Sequence, residues 1–302
     1  MDLSVVITAL NGRAALPATL DSLAEHLPSA EVIVANGPSA DGTSGLVADH
    51  QVVDTVLELS ERNPNVARNA GLAVASGSAV AFLGQGSRIE PTWPDAVAAA
   101  LATEADAVTG PIHRELGADL TTESFEEAQI GSRWVRYFDA GNVVFDREAI
   151  EALDGFDERL DVEAGRDMAH RLAGLDRRVE WHPEAAVLRT ATEDGPQAPA
   201  PDDLGQSYRA RGYRMTKNYG PGWLTARYLL QELIGDGLDE TKAAIAGETP
   251  PSAWLGDGRR AVGNLLAGVG AGLLARLSDR TPRRNPNGLS ARGDRPVSRT
   301  DF

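Results

Sequence analysis

Short apolar runs alternate with amphipathic stretches along roughly the first 190 residues of the chain. Residues 3–7 and 31–35 are nearly continuously apolar, which is typical of strands covered on both faces of a sheet. The leucines between these two runs recur at helical spacing: Leu16, Leu20, Leu23 and Leu27. This alternation predicts βαβ units, and hence an α/β fold with a mostly parallel central sheet and helices on both faces.

The stretch 65–89 continues the pattern with a loop, a short helix, a buried strand and a glycine-bearing turn. The same periodicities predict the remaining elements of this part: strands at 52–57, 107–109, 141–145, 179–181 and 185–188, and helices at 93–103, 147–153 and 163–174. Residues 113–135 show neither period clearly. We therefore expect them to be irregular or helical and to lie over a face of the sheet.

The chain changes character after residue 193, where a first domain of residues 1–193 is predicted to end. Residues 194–203 are rich in Pro, Asp and Ala, which predicts a linker. Residues 204–258 are predicted to form a C-terminal helical extension. Its helices are expected around 204–218, 223–234 and 239–246.

The last segment, residues 259–302, combines an apolar stretch with an excess of positive charge. Nine of its residues are Arg and three are Asp, and the seventeen residues 261–277 are largely apolar. A helix of this length is at the lower limit for crossing roughly 30 Å of hydrocarbon. We expect a segment that contacts the membrane, followed by a partly disordered Arg-rich tail, with a helix buried against the domain as the alternative.

The chain is strongly acidic, with 44 Asp and Glu against 29 Lys and Arg and a net charge of −15. The chain has only two lysines, Lys217 and Lys242, and this scarcity favours a halophilic surface over a merely acidic one. A field of this sign repels nucleic acid and excludes it as a partner. The lack of Cys excludes disulfides, thiolate metal sites and a Cys nucleophile. Since no basic segment precedes an apolar run at the amino terminus, we expect no signal peptide.

Polar residues follow the carboxyl ends of the first strands in a recognisable order. They are Thr8-Ala9-Leu10-Asn11, the turn 36–43 and Arg68-Asn69-Ala70-Gly71. With Gly77 and Phe82-Leu83, their order and spacing resemble family 2 glycosyltransferases over roughly residues 2–190. The resemblance implies the GT-A (nucleotide-diphospho-sugar transferase) fold, a nucleotide-sugar partner and an inverting transfer. It also implies that the donor pocket is lined by Thr8, Asn11, Asn36, Asp41 and Arg68.

The chain departs from the family pattern where family members hold a metal ion. Members follow the fourth strand with Asp-x-Asp and often close the site with a His, whereas Gly84-Gln85-Gly86 and Arg189 stand here. Because these losses coincide, we expect no divalent cofactor, with Mg²⁺ or Mn²⁺ as the alternative. A leaving diphosphate still needs positive charge, and we predict that Arg88 and Arg189 supply it. Two ordinary surface arginines are the alternative.

A third departure concerns the general base. Gly141-Asn142 and residues 155–158 resemble the acceptor-side block of the family, after which a helix opens with Glu-Asp, its Asp being the base. Alignment on Arg171-Leu172 places Ala164-Gly165 on that pair. The chain therefore lacks the expected carboxylate at the expected position.

Other carboxylates remain candidates, because an inverting transfer needs one within about 3 Å of the acceptor hydroxyl. Asp167 aligns with a further Asp of the family pattern, and Glu163 lies one residue before the expected pair. Asp161 and Asp157 are weaker candidates. An interior helix carboxylate bonded to a neighbouring Arg is the alternative for Asp167.

The sequence thus predicts a cytoplasmic glycosyltransferase that is peripheral to the cell membrane. Its acceptor is expected to be a lipid-linked (dolichol-phosphate) or protein-linked glycan, in the N-glycosylation of surface glycoproteins. The competing hypothesis is a catalytically inactive relative that binds a nucleotide sugar or a glycan, or that acts as a scaffold for an active transferase.

Overall fold

The structure, a computed structural model, describes residues 2–116, 119–123, 125–190, 203–245, 251–279, 283–291 and 298–302. The chain divides into two compact units. The first comprises Met1–Gln129, Arg133–Gly195 and Asn287–Phe302, and the second comprises Ile130–Ser132 and Pro196–Pro286. The predicted linker, apart from residue 203, lies outside the described residues.

An eight-stranded sheet forms the centre of the first unit. Its strands, in spatial order, are β12 (Val179–Trp181), β6 (Ala107–Thr109), β11 (Asn142–Asp146), β4 (Ala79–Gly84), β1 (Leu3–Ala9), β2 (Glu31–Asn36), β3 (Thr55–Glu58) and β14 (Ser298–Asp301). The first four strands of the chain are mutually parallel, and β11 and β14 run antiparallel to their neighbours. The carboxyl ends of β1, β2 and β4 therefore meet at one edge, where ligands bind in open α/β sheets.

Helices cover both faces of this sheet, as the continuous apolar runs predict. They are α1 (Leu16–His26), α2 (Thr43–Ala48), α3 (Pro64–Val74), α4 (Trp93–Ala102), α5 (Arg147–Ala152) and α6 (Ala164–Gly174). On one face, Val5 and Ile7 of β1 share a buried cluster with the leucines of α1 and with Trp93 of α4. On the other face, Val6 lies against Gly71 of α3, where no side chain would fit.

The described residues of this stretch form four strands between Ile112 and Tyr137, so the prediction of irregular or helical structure for 113–135 is wrong. A second sheet contains β5 (Ser87–Ile89), β13 (Val187–Thr190), β7 (Ile112–Leu116) and β8 (Asp119–Glu123), and β9 (Glu126–Ile130) pairs with β10 (Arg133–Tyr137). In β10 only Val135 and Tyr137 are buried. The polar outer faces of such strands hide the apolar alternation that identifies a buried strand.

Residues 287–302, at the end of the segment predicted to be partly disordered, belong to the first unit. β14 pairs antiparallel with β3, and the N–H of Phe302 donates to the carbonyl of Asp54. This pairing covers a strand edge that would otherwise expose unpaired peptide groups. The short 3₁₀ helix η1 (Leu289–Ala291) is attached to Asp154, whose carboxylate accepts from the N–H and hydroxyl of Ser290. Arg280, Arg292 and Arg295 of the predicted tail lie outside the described residues.

Three helices make up most of the second unit: α7 (Asp203–Tyr219), α8 (Trp223–Ile245) and α9 (Pro251–Ser278). The predicted break between residues 234 and 239 is wrong, because α8 is one helix. α7 and α9 approach each other at Gly212, Gly268 and Gly272, where an added Cβ would overlap backbone atoms of the facing helix. Within the described residues, Gly258–Ser278 is the one segment long and apolar enough to cross a membrane, and 28% of it is buried.

Two glycines of α9 provide a matched pair for testing this helix contact. A methyl group at Gly268 would overlap the carbonyl oxygen of Arg209, whereas at Gly270 it would meet no atom within 4 Å. We expect Gly268→Ala to destabilise the second unit by about 1–3 kcal/mol through overpacking, and Gly270→Ala to stabilise it by up to about 1 kcal/mol through helix propensity. Denaturant unfolding followed by circular dichroism measures both. Equal effects of the two substitutions would contradict this packing.

Candidate active site

The turn after β4 is held by Gln85, the central residue of the sequence that replaces Asp-x-Asp. The Gln85 side-chain oxygen accepts from the N–H of Leu10 at 2.8 Å, and its amide nitrogen donates to the carbonyl of Leu10 at 3.1 Å. A primary amide matches both polar groups of one peptide unit. Gln85 therefore fixes the loop after β1 against the turn after β4 and is committed to the backbone.

Three of the predicted donor residues lie at or just after the carboxyl ends of β1 and β2, and Asn11 joins the loops that follow these strands. The side chain of Asn11 accepts from the N–H of Ala40 at 2.9 Å, and its backbone lies in the left-handed region. The amide of Asn36 donates to Ser44 at 3.0 Å and to Glu58 at 2.9 Å. Thr8 is paired in register with Ala35 and Gly84 at the same sheet edge. The structure thus gathers Thr8, Asn11 and Asn36 where the carboxyl ends of the strands meet.

Asp41 completes this loop arrangement. Its carboxylate accepts from the N–H of Arg13 at 2.9 Å and from the N–H and hydroxyl of Thr43. Burial alone would raise the pKa of Asp41, but the Thr43 hydroxyl and the two N–H groups lower it below its ordinary value. Asp41 therefore stays ionised and organises the loop.

A carboxylate that the sequence analysis missed lies at the centre of the site. Asp139 accepts from the N–H of Gly141 at 2.6 Å and pairs with Arg189 at 3.4 Å. Burial alone would raise the pKa of Asp139, but Arg189, the Gly141 N–H and Arg68 together lower it. Burial lowers the pKa of Arg68 to about 10, with Asp139 opposing and Arg189 adding to the decrease. Asp139 and Arg68 are therefore both charged at neutral pH.

Arg68 and Arg189, rather than Arg88 and Arg189, form the pair of cations at the site. Arg189 lies opposite Ser87 in the antiparallel ladder, and its Nε donates to the Ser87 hydroxyl at 3.2 Å. Arg88 is the next residue along the strand and is exposed, because successive side chains point to opposite faces. The prediction that Arg88 shares the phosphate site is therefore wrong.

The two predicted acceptor-side residues have structural roles. A Cβ at Gly141 would lie 2.7 Å from Arg189 Nη2 and 2.9 Å from the Asp139 carboxylate, so a side chain there would displace this ion pair. Asn142 is 1% exposed, and its side-chain oxygen accepts from the indole N–H of Trp93 at 3.1 Å. Its amide donates to the carbonyl of Ala185 at 3.0 Å. Asn142 thus links strands and does not face the pocket.

A pocket of about 320 Å³ opens beside the ion cluster. Its lining includes the side chains of Arg68, Tyr137, Asp139, Glu163, Arg166 and Trp181. Glu163 precedes the first residue of α6 with φ of 58°, in the left-handed region that costs a residue with a Cβ roughly 1–2 kcal/mol. Such strain often accompanies a functional position. Arg166 lies over the ring of Tyr137 at 4.4 Å and adds a positive charge near Glu163.

Asp167 lies in the core and not in this pocket. It is 1% exposed and accepts from Nε of the equally buried Arg171 at 2.8 Å. Arg171 also donates to the carbonyls of Leu153 and Gly155. The alternative interpretation, an interior carboxylate bonded to a neighbouring Arg, describes Asp167, so the prediction that it acts as the base is wrong.

The other carboxylates divide between core and rim. Asp157 is 2% exposed and accepts from the N–H of Arg159 at 3.0 Å, whereas Asp161 lies at the pocket rim and accepts from Asn63 at 2.9 Å. The family position of the base is occupied by Gly165, where a Cβ would overlap the carbonyl oxygen of Phe138. Glu163 is therefore the candidate base that the geometry favours.

Helix α3 holds the acceptor-side loop through its asparagines. Asn65 donates to the carbonyls of Asp157 at 3.0 Å and Leu160 at 2.7 Å and accepts from Arg68 at 2.7 Å. Asn69 exchanges hydrogen bonds with the backbone of Phe156. The same helix therefore positions Arg68 and the loop that leads to Glu163.

The sequence analysis missed Asp139, Tyr137, Arg166 and Trp181. The Asp139-Ala140-Gly141 segment carries a usable signal, since an Asp two residues before a Gly is typical of a turn closed by its own side chain. Tyr137 and Trp181 occupy short strands with no clear apolar period.

Residues 4–153, about half of the chain, match the family model described as glycosyl transferase family 2. Similar solved structures include S. aureus TarS 1-349 in complex with UDP-GlcNAc, with 18% identity over 92% of this chain and 85% of that chain and a TM-score of 0.64. They also include the mannosyltransferase PcManGT from Pyrobaculum calidifontis in complex with GDP-Man and Mn²⁺, with 17% identity over 93% and 88% and a TM-score of 0.57. A comparison with curated proteins gives no match.

A third similar structure, GalNAc-T7 with UDP, GalNAc and Mn²⁺, is 16% identical over 69% of this chain and 47% of that chain, with a TM-score of 0.57. Together these structures establish the nucleotide-diphospho-sugar transferase (GT-A) fold, which confirms the predicted fold class. Family membership itself rests on the match over residues 4–153.

Two of these relatives hold Mn²⁺, so the fit of this site to a divalent ion needs testing. Among the described residues, no group of three or more His, Cys, Asp or Glu side chains is arranged to hold a metal. Gln85 is bonded to Leu10, and Asp139 pairs with Arg189 while the charges of Arg189 and Arg68 both lower its pKa. A divalent cation needs several oxygen ligands, and positive neighbours oppose its binding. The residues present at this sheet edge therefore do not fit a divalent metal ion.

Proposed function

Since the chain belongs to glycosyl transferase family 2 and transfers a sugar from a nucleotide sugar, we propose that it does so without a divalent metal ion. Arg68 and Arg189 hold the diphosphate of the donor, and Glu163 accepts the proton of the acceptor hydroxyl. The observation that carries this proposal is the ion pair of Asp139 with Arg189 at 3.4 Å, beside a pocket that Arg68, Asp139 and Glu163 line together.

The two arginines supply the charge that a leaving diphosphate requires. Guanidinium groups donate fork-like pairs of hydrogen bonds to phosphate oxygens and remain charged at neutral pH. Asp139 holds Arg189 and Asn65 holds Arg68 in place before the donor binds, and fixed charges of this kind stabilise developing negative charge without reorganisation. Arg68, Arg189 and Asp139 together retain one positive charge, which favours an anionic ligand.

Glu163 completes the reaction on the acceptor side of the pocket. As the acceptor oxygen forms a bond to the anomeric carbon, the bond from that carbon to the diphosphate breaks, and the hydroxyl proton moves to the Glu163 carboxylate. The products are the glycoside, the nucleoside diphosphate and a protonated Glu163 that returns its proton to solvent. The family resemblance implies inversion at the anomeric carbon.

Replacing Glu163 by Gln tests the base. We expect Glu163→Gln to lower kcat by at least about 100-fold, because the amide cannot accept the proton, and to leave donor affinity and folding unchanged. Nucleotide release, measured in molar KCl with several donors and acceptors, provides kcat. Asp161→Asn makes the same chemical change at the pocket rim and is expected to change kcat only a few-fold. A larger loss in Asp161→Asn would transfer the role of base to Asp161, and donor binding without transfer by the wild type would favour the inactive-relative hypothesis.

Replacing Arg189 and removing metals test the phosphate site. We expect Arg189→Ala to weaken donor binding about tenfold or more, the cost of one charged hydrogen-bonding partner, and Arg88→Ala to leave it unchanged. Turnover should persist in EDTA. Loss of turnover in EDTA that Mn²⁺ or Mg²⁺ restores would refute the metal-independent mechanism.

We extend the proposal to a lipid-linked acceptor on the basis of the second unit. One face of α9 exposes large apolar residues, among them Leu266 at 63%, Leu274 at 66% and Leu277 at 64%. Arg259 and Arg260 lie exposed at the start of this apolar segment. An apolar face flanked by arginine suits the surface of an anionic bilayer. The enzyme would then be cytoplasmic and peripheral to the cell membrane.

The acidic, Lys-poor composition supports a high-salt setting for this reaction. We therefore propose surface-glycoprotein N-glycosylation, on a dolichol-phosphate carrier or on the glycoprotein, as the process served. None of these features identifies the donor sugar. The nucleotide-release assay with several donors identifies it.

Vesicle flotation tests the membrane contact. We expect the wild type to float with vesicles that contain anionic phospholipid. The double variant Leu274→Glu/Leu277→Glu should remain at the bottom of the gradient, because charged groups oppose insertion of this face. Leu120→Glu is the matched control, since Leu120 is 61% exposed in the first unit. Flotation that is equal for the wild type and the double variant would remove the membrane from the proposal.

A further inference from the structure

A second groove, separate from the pocket at Asp139, lies along the other side of the β9–β10 hairpin. It has a volume of about 380 Å³, with Trp134 and Arg136 on one wall and Ala169 and Ala173 of α6 among its other lining residues. We propose that this groove binds a non-reacting sugar of an oligosaccharide acceptor. The proposal rests on the proposed function and specifies its acceptor as a glycan of several units.

Trp134 is the first observation that points to a ligand. Its side chain is 60% exposed, whereas the buried Trp93 of the same unit is 0% exposed. Leaving a large aromatic face in water forgoes a burial energy of about 1.5–3 kcal/mol. A flat ring at the edge of a groove offers a stacking surface to the C–H face of a pyranose, and an aromatic wall with a few polar groups is typical of small-molecule sites.

The charges around the groove identify a neutral ligand. Arg136 pairs with Glu127 at 3.6 Å, Arg177 with Asp106 at 2.8 Å, and Arg178 with Glu180 at 2.7 Å. Each positive charge is therefore matched, so the groove has no excess charge for a phosphate or a carboxylate.

Polar groups that can bind hydroxyls nevertheless face the groove. A guanidinium has five N–H donors, and Arg136 is held by one hydrogen bond to the carbonyl of Val179 and by its pair with Glu127. Donors and acceptors side by side suit the hydroxyls of a sugar, each of which both donates and accepts. The groove therefore fits a neutral carbohydrate better than an anion or a purely apolar ligand.

The position of the groove relates it to the reaction pocket. Glu126 and Tyr137 line the pocket, whereas their chain neighbours Glu127 and Arg136 line the groove. Neighbouring residues of a strand point to opposite faces, so the two sites share one hairpin and are separated by its thickness. A glycan whose terminal sugar occupies the pocket would pass the edge of the hairpin and place an inner sugar on Trp134.

Direct binding measurements test this proposal without requiring turnover. The probes are α-mannose, β-glucose and N-acetylglucosamine oligomers of one to four units, titrated into the full chain in molar KCl without a donor. We expect calorimetry to show tighter binding with increasing length for at least one series. Trp134→Ala should weaken binding of the longest oligomer about tenfold or more and leave the monosaccharide unchanged.

Two further variants complete the test. Trp223→Ala removes the 79% exposed Trp223 of the second unit and should bind as the wild type does. Ala173→Leu narrows the groove while retaining Trp134, and it should reproduce the loss seen in Trp134→Ala. In transfer assays both groove variants should raise KM for long acceptors only, with kcat and donor KM unchanged.

Several results would overturn the proposal: no binding of any oligomer, equal binding by Trp134→Ala, or an equal loss in Trp223→Ala. Failure of the proposed function is separate from these outcomes. A wild type that binds oligomers through Trp134 yet never transfers sugar would retain the groove and refute the reaction.

Discussion

The site depends on one electrostatic arrangement, a carboxylate that pairs with one guanidinium group and interacts with the charge of a second. Arg68, Asp139 and Arg189 come from α3, from the segment before β11 and from β13, which are distant in sequence. Two half-buried cations repel each other and lose part of their hydration, whereas a nearby carboxylate offsets both costs. Asp139 therefore allows two positive charges to remain close together at the sheet edge. Gly141 supports this arrangement, because its N–H donates to Asp139 and a Cβ there would push the paired side chains aside.

Helix α3 extends this constraint from the phosphate side of the site to the acceptor side. Asn65 fixes Arg68 and also binds the carbonyls of the 157–160 loop, and Asn69 binds the backbone of Phe156. That loop leads directly into Glu163, where the backbone is strained before α6 begins. A shift of α3 would therefore move Arg68 and the base together. The strain at Glu163 persists because the surrounding hydrogen bonds and the contact of Gly165 with Phe138 hold the helix start in place.

The sequence predicts those strands and helices whose hydrophobic pattern is set by burial. It does not reveal strands whose side chains are buried on one face only or on neither. β1 and β2 are buried on both faces and are visible as apolar runs, while β14 has four exposed side chains and is held by backbone bonds to β3. Which arginine reaches the site depends on strand register: Arg88 and Arg189 lie one position out of step in the ladder. No local pattern encodes that offset. The interior role of Asp167, in contrast, was predictable as an alternative because Arg171 follows it at helical spacing.

The loss of Asp-x-Asp and the presence of Arg189 are physically linked. A Cβ at Gly84 would lie 3.4 Å from Arg189 Nη2, so a carboxylate on residue 84 would meet the guanidinium at once. Such a carboxylate would neutralise the cation that the phosphate needs and would compete with Asp139 for it. Conversely, a metal held at this turn would repel Arg189. A metal ion bound at this turn and the Arg189 guanidinium therefore exclude each other. The glycine-bearing turn after β4 is the form of the site that is compatible with Arg189.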